Sequence, residues 1–162
     1  MKTLIVYYGY GNHTNMIAKK LEKELNADII KIKPKIAYTN DYQLLVDQTE
    51  NNLETKETPD IEDININLHN YNKIIIGSPV WWYTIAPPVR TFLKKYDLST
   101  LKVYPFATNA GWLGSTFDEI KSLCNGEIKY PMSIKFSTDH EENKILTSET
   151  EISNWINKIK ND

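Results

Sequence analysis

Several things are scarce in this chain of 162 residues, and each scarcity closes a class of explanation. Cys124 is the only cysteine, so no intrachain disulfide can form, as suits a reducing cytoplasm. The formal net charge is only −2 and no Lys/Arg block occurs, so nucleic acid and anionic membrane are not expected partners. No apolar run reaches the roughly 20 residues that a membrane span requires. The first strand pattern begins directly after Lys2, so no signal peptide is expected. There is no repeat, no low-complexity tract and no linker, so residues 1–162 read as one domain with space for a full core. No His/Cys/Asp/Glu pattern reads as a metal site, and no side chain stands out as a catalytic acid or base.

What is present is a regular alternation of strand and helix signals. Leu4 to Tyr8 is an uncharged apolar run, the pattern of a strand buried on both faces of a parallel sheet. A short polar loop, Gly9 to Thr14, follows, and then Ile17, Ala18, Leu21 and Leu25 recur at helical spacing. Ala27 to Lys33 reads as an edge strand closed by Pro34. Tyr38 to Tyr42 reads as a turn entering a short helix from Asp41 to Glu50, and Asn51 to Asp60 as a loop. Tyr71 to Gly77 is a second buried strand, followed by a long loop from Ser78 and a helix from Pro88 with Val89, Phe92, Leu93 and Tyr96 on its apolar face. Lys102 to Thr108 is a strand in spite of Pro105. Ser115 is the expected N-cap of a helix that buries Phe117, Ile120 and Cys124 and ends at Asn125-Gly126. Residues 127–136 alternate as a last edge strand, 139–142 form an acidic solvent-facing turn, and Ile152, Trp155, Ile156 and Ile159 mark a terminal helix. The sum is an α/β fold: a doubly wound sheet of five parallel strands with helices on both faces.

In such a sheet the loops after the first, third and fourth strands converge at the switch point, where ligands bind. These same three loops are unusual in composition. The first presents the unpaired N–H groups and positive dipole end of a helix, a setting for phosphate. It lacks the Gly-Lys-Ser/Thr of a Walker loop. Gly9-Tyr10-Gly11-Asn12-His13-Thr14 has two glycines of a dinucleotide fingerprint but Thr14 in place of the third. Asn12 and Thr14 can donate to phosphate oxygens; the first basic residue after the loop is Lys19, so the phosphate would keep its charge. A tight turn with no ligand is the competing reading. The second loop holds Trp81-Trp82-Tyr83 between prolines, and exposed aromatics beside a phosphate site point to a stacked flat ring. A partner interface is the alternative use of such a patch. The third loop, Asn109-Ala110-Gly111-Trp112-Leu113-Gly114, has glycines that let backbone approach a ligand. Tyr7-Tyr8-Gly9 stands where phospho-acceptor receiver domains carry metal-binding acids, which argues against a signalling module. His13 reads as an exposed loop residue, Cys124 as an inert packing thiol, and Trp155 as core.

The first loop, with Thr14, Ala18 and Leu21 in matching places, resembles the flavodoxins; Gly9 and the Asn12-His13 pair depart from their usual Ser/Thr and Gly-Asn. Residues 76–93, Ile-Gly-Ser-Pro-Val-Trp-Trp-Tyr-Thr-Ile-Ala-Pro-Pro-Val-Arg-Thr-Phe-Leu, are similar to a flavodoxin-like group with a Pro-x-Trp-Trp loop, and so are Tyr38-Thr39-x-Asp41-Tyr42 and residues 108–114. The resemblance implies strand order 2-1-3-4-5 and non-covalent FMN. Gly9, Tyr10, Gly11, Asn12, His13, Thr14 and Asn15 would hold the phosphate. Pro79, Val80, Trp81, Trp82 and Tyr83, with Thr108, Asn109, Ala110, Gly111, Trp112 and Gly114, would hold the isoalloxazine, Trp81 or Trp82 lying against a ring face. It further implies electron transfer to a redox partner protein, or NAD(P)H-fed reduction of a quinone-type small molecule, by a monomer or homodimer. A ligand-free interaction domain of the same fold is the remaining alternative.

Overall fold

The computed structural model describes residues 2–50, 55–138 and 143–162. In chain order the elements are β1 (Lys2–Tyr7), α1 (His13–Leu25), β2 (Asp28–Lys31), α2 (Tyr42–Thr49), a 3-10 turn (Leu68–Asn70), β3 (Tyr71–Trp81), β4 (Thr84–Ile85), α3 (Pro87–Lys95), β5 (Lys102–Asn109), α4 (Thr116–Leu123), β6 (Glu127–Ile128), β7 (Met132–Lys135) and α5 (Glu149–Asn161). The sheet runs β2-β1-β3-β5-β6; β7 also pairs with β5, and β4 pairs with β3. All ladders are parallel except the β3–β4 hairpin. No helix among the described residues is long and apolar enough to cross a membrane.

The uncharged runs explain the layers. Side chains alternate across a strand, so Leu4, Val6, Ile74, Ile76 and Val103 pack on one face with Val89 and Phe92 of α3 and Ile120 of α4. Ile5, Ile75, Tyr104 and Phe106 pack on the other with Ile17 and Leu21 of α1 and Trp155, Ile156 and Ile159 of α5. Phe117 and Cys124 are only partly buried against the first of these cores. Asp41 caps α2 by accepting the Leu44 N–H at 2.9 Å, and Ser148 with Glu151 forms a capping box on α5.

The sheet departs from five strands in two places. The expected last strand, 127–136, is split into β6 and β7. Ile128 pairs with Val103 and Met132 with Phe106, so four steps on the edge oppose three on β5 and one residue is extra. Tyr130, at φ 46°, and Pro131 occupy the break. This break also explains how a central strand tolerates Pro105. The Val103 carbonyl accepts from Lys129 and the Asn109 carbonyl from Phe136. Odd-numbered residues of β5 therefore direct their polar groups to this side, and the missing N–H of Pro105 faces the interruption.

The second departure is at β3. The strand does not stop at Gly77 but runs to Trp81 and turns back through Trp82 and Tyr83 into β4. The stretch expected as a free loop is thus a hairpin. The helix after it begins at Pro87, one residue earlier than expected. Of the expected loop 51–60 and turn 139–142, residues 51–54 and all of 139–142 lie outside the described residues.

Candidate functional site

The three flagged loops meet at the carboxyl ends of β1, β3 and β5. The first leads into α1, whose N-terminus has no side-chain cap. The first backbone bond there, Met16 N–H to the Asn12 carbonyl, is 2.9 Å. Gly11 sits at φ +73°, where a side chain is disfavoured, and nothing lies within 4 Å of where its Cβ would be. A Cβ on Gly9 would make only ordinary contacts of 3.6–3.7 Å, so that glycine is not a packing requirement. The Thr14 hydroxyl is buried and shares a 2.8 Å bond with that of Thr108, tying the first loop to the third. Either hydroxyl can be the donor in this bond. Asn15 accepts from the Tyr7 hydroxyl at 2.6 Å, and its amide reaches the Asn12 side chain at 3.5 Å. His13 is not an exposed loop residue. It is the first residue of α1, half-buried, and its ring stacks on Phe136 with centroids 4.0 Å apart.

The second stretch forms the wall. Trp82 and Tyr83 occupy the two central positions of a two-residue hairpin with φ of 50° and 63°. That left-handed geometry normally selects Asn-Gly. It is held from three sides. The Trp82 indole N–H donates to the Thr49 hydroxyl at 2.9 Å. The Ser115 N–H donates to the Tyr83 carbonyl at 2.8 Å. Gly114, at φ +53°, lies so close that its Cβ would fall 2.0 Å from the same carbonyl oxygen. Ser115, expected as a helix N-cap, makes no side-chain cap bond; its hydroxyl points to Tyr83 instead. Trp81 is enclosed by rings: Tyr8, Tyr10 and Tyr38 meet it edge-on at centroid distances of 5.6, 5.8 and 5.1 Å. Burial, with the charge of Glu57 adding to it, pushes the Tyr38 phenol up to about 12, and burial raises Tyr8 as well. Both stay protonated at neutral pH.

The third loop is braced from behind. Asn109 donates to the Ser133 hydroxyl at 2.9 Å and accepts the Gly111 N–H at 2.9 Å. Trp112 remains 67% exposed.

These elements enclose a cleft of about 380 Å³ lined by Tyr10, Val80, Trp81, Trp82, Tyr83, Ala110 and Trp112, all anticipated from the sequence, and by Tyr42, Leu45, Val46 and Thr49 of α2, which were not. Pro79 pairs with Thr108 in the sheet behind the wall. Asn109, Gly111 and Gly114 act as braces, and Gly9, Gly11, Asn12, His13, Thr14 and Asn15 form the turn that leads into and opens α1. The spacing of Tyr42, Leu45, Val46 and Thr49 is a helical stripe; it marked an element with something to cover but not what. Lys19 is engaged with Glu22 at 3.0 Å. Lys135, at the end of β7, lies beside the third loop, its ammonium 3.3 Å from where a Gly111 Cβ would stand.

The lining carries no charged side chain and is dominated by aromatic rings, and its volume falls in the range of small-molecule sites. It suits a flat conjugated ring, with α1 beside it for an anion. Among the described residues no cluster of side chains could hold a metal ion.

The arrangement has counterparts among solved structures. A flavoprotein from Lactobacillus acidophilus NCFM, solved in complex with FMN, matches with TM-score 0.72 over 95% of this chain and 97% of that one at 24% identity. Oxidised Flavodoxin 2 from Bacillus cereus matches at 0.60 over 99% of both chains with 16% identity. Rubredoxin oxygen:oxidoreductase from Desulfovibrio gigas matches at 0.58 over 99% of this chain but 35% of that one, at 15% identity. At these identities the likeness is one of fold. No curated protein matches the sequence. A family model described as flavodoxin matches residues 2–159, and the chain belongs to the flavodoxin family.

Proposed function

We propose that the protein binds FMN non-covalently in this cleft and serves as an electron-transfer flavoprotein. The observation that carries the reading is the junction of an uncharged, aromatic-walled cleft with an uncapped helix N-terminus, the two joined by the Thr14–Thr108 bond. Family membership and the FMN complex of the Lactobacillus acidophilus flavoprotein support the choice of cofactor. FMN supplies the redox chemistry when bound. The protein's own residues do the rest. The N–H groups of the turn from Gly9 to Asn15 and the Thr14–Thr108 hydroxyls hold the phosphate end. Trp82, Tyr83 and the α2 stripe exclude water from the ring. Lys135 places a positive charge beside the third loop, which favours electron uptake by the ring.

A second reading has its own support. Tyr42 and Trp112 are 72% and 67% exposed at the rim of the cleft, and the net charge of −2 is small for docking on a basic protein partner. An uncharged aromatic rim fits a quinone-type small molecule, with the protein acting as an NAD(P)H-fed reductase in a cytoplasmic setting.

Titrating the purified protein with FMN, followed by visible absorption and flavin fluorescence, tests the cofactor. Saturable quenching at one FMN per chain supports it, and an unchanged flavin signal sinks it. Anaerobic addition of NAD(P)H then separates the two uses: rapid bleaching and turnover with a quinone favour the reductase, and no bleaching favours the carrier.

A further inference from the structure

Arg90 is the only arginine in the chain and is 1% exposed. Its partner, Glu119 in α4, is 8% exposed. The guanidinium grips the carboxylate through Nε and through Nη2, the latter at 3.2 Å, and Nη1 donates to the Glu57 carbonyl at 2.9 Å. A buried ion pair is weak evidence of a stability role, because desolvation offsets much of the attraction and apolar replacement is often neutral. What the pair is attached to is therefore informative. The Thr84 hydroxyl donates to Glu119 Oε2. Thr84 is the residue directly after Tyr83 and the first of β4. One helical turn before Glu119, the Ser115 N–H holds the Tyr83 carbonyl at 2.8 Å. Helix α4 thus grips the Trp82–Tyr83 turn at two successive residues. Arg90 fixes the second grip from α3, at the opposite end of the guanidinium from Glu57.

Such an anchor answers a specific difficulty. Two non-glycine residues in the left-handed region persist only where surroundings over-determine them. We propose that Arg90–Glu119 is a positioning pair for the aromatic wall. Through Thr84 it keeps Trp82 and Tyr83 in their left-handed turn, and so sets the orientation of the Trp82 ring in the cleft. Arg90 and Glu119 do not line the cleft themselves. The step from ring orientation to cofactor properties rests on the FMN reading; the step from the ion pair to the turn does not.

Three variants test this: Thr84→Val, which leaves the ion pair intact; Thr84→Ser, which keeps the hydroxyl; and the double variant Arg90→Met with Glu119→Leu, which leaves no unpaired buried charge. In protein without FMN, the readout is the chemical shift and hydrogen exchange of the Trp82 indole N–H, assigned by comparison with Trp82→Phe. With FMN, the readouts are affinity and midpoint potential. Thr84→Val and the double variant are expected to shift the Trp82 signal, speed its exchange and weaken FMN by about tenfold, the scale of one charge-assisted hydrogen bond. The potential should move with them, and Thr84→Ser should restore all three. A merely structural pair would change the unfolding midpoint alone. Folded Thr84→Val and double variants with an unchanged Trp82 signal would overturn the proposal. Should the wild-type protein bind no FMN, the functional reading falls, and the Trp82 signal still decides the role of the pair.

Discussion

Replacing Gly114 by alanine puts the clamp on the aromatic turn under direct strain. At φ +53° an alanine is in the left-handed region, which costs about 1–2 kcal/mol. The new methyl would stand 2.0 Å from the Tyr83 carbonyl oxygen, 2.5 Å from its Cβ and 2.7 Å from its carbonyl carbon. Two of those three neighbours are backbone, so no side-chain rotation relieves the clash. The turn and the start of α4 must separate by more than an ångström. That breaks the Ser115–Tyr83 bond, a further loss of about 0.5–1.5 kcal/mol. The total is about 1.5–3.5 kcal/mol, or roughly tenfold to three-hundredfold in an equilibrium constant at ~1.4 kcal/mol per decade. Urea unfolding and FMN titration together capture it, since the strain appears either as lost stability or as lost affinity. Gly11→Ala is the control. Its φ is +73°, yet nothing lies within 4 Å of the added methyl, so its stability should fall by the backbone cost alone. Wild-type stability and affinity in Gly114→Ala, or an equal stability loss in Gly11→Ala, would refute the reasoning.

Other consequences can be checked alongside. Thr14→Val removes one partner of a buried hydroxyl pair and leaves Thr108 unsatisfied; a loss of about 1–3 kcal/mol is expected in urea unfolding, and Thr14→Ser should recover most of it. Trp82→Phe keeps a flat ring but deletes the indole N–H bonded to Thr49, so FMN affinity measured by fluorescence quenching should fall about tenfold. Hydrogen bonds from Lys129, Tyr104 and Lys102 hold the Asp162 carboxyl well below its ordinary 3.8. For Glu119, burial pushes upward, but bonds from Arg90 and Thr84, with the Arg90 charge, leave it below 4.5. Both contribute stability that is complete above those ordinary values and is lost as pH falls through the lower folded ones. The denaturation midpoint should therefore drop on acidification below pH 4.5, and less steeply in Asp162→Asn.

The parts of the fold that were legible are those decided by local pattern. Leu4 to Tyr8 and Ile74 to Ile76 have no charge to expose, so burial on both faces follows from composition alone. The convergence of the three loops on one cleft was legible because topology and residue type pointed to the same place. What escaped was tertiary. Trp82-Tyr83 violates the preference for Asn-Gly in a two-residue hairpin, and tertiary contacts, the clamp from Gly114 and Ser115 among them, make it tenable. The helix of Tyr42–Thr49 was readable, but its contribution of half a cleft wall was not, because nothing local says which loop it faces. The halves of the Arg90–Glu119 pair lie 29 residues apart and carry no shared motif. Pro105 and Pro131 read separately as oddities; only the register shows that one missing donor faces the break made by the other.

That break has a bearing on how the molecule behaves in company. An open sheet offers its outermost strands as templates on which another chain can add. Here β2 has four residues, and Pro34 follows shortly after it. The opposite margin is divided into two and four residues by the left-handed Tyr130 and Pro131, and past β7 the Phe136–Ile145 bridge covers it. Among the described residues no edge strand is longer than four residues. A chain whose central strands are among the most apolar and β-prone stretches of its sequence is thereby protected from growing fibre-like through its edges. The irregularity that spoils the ideal five-stranded pattern is a guard against self-templated aggregation.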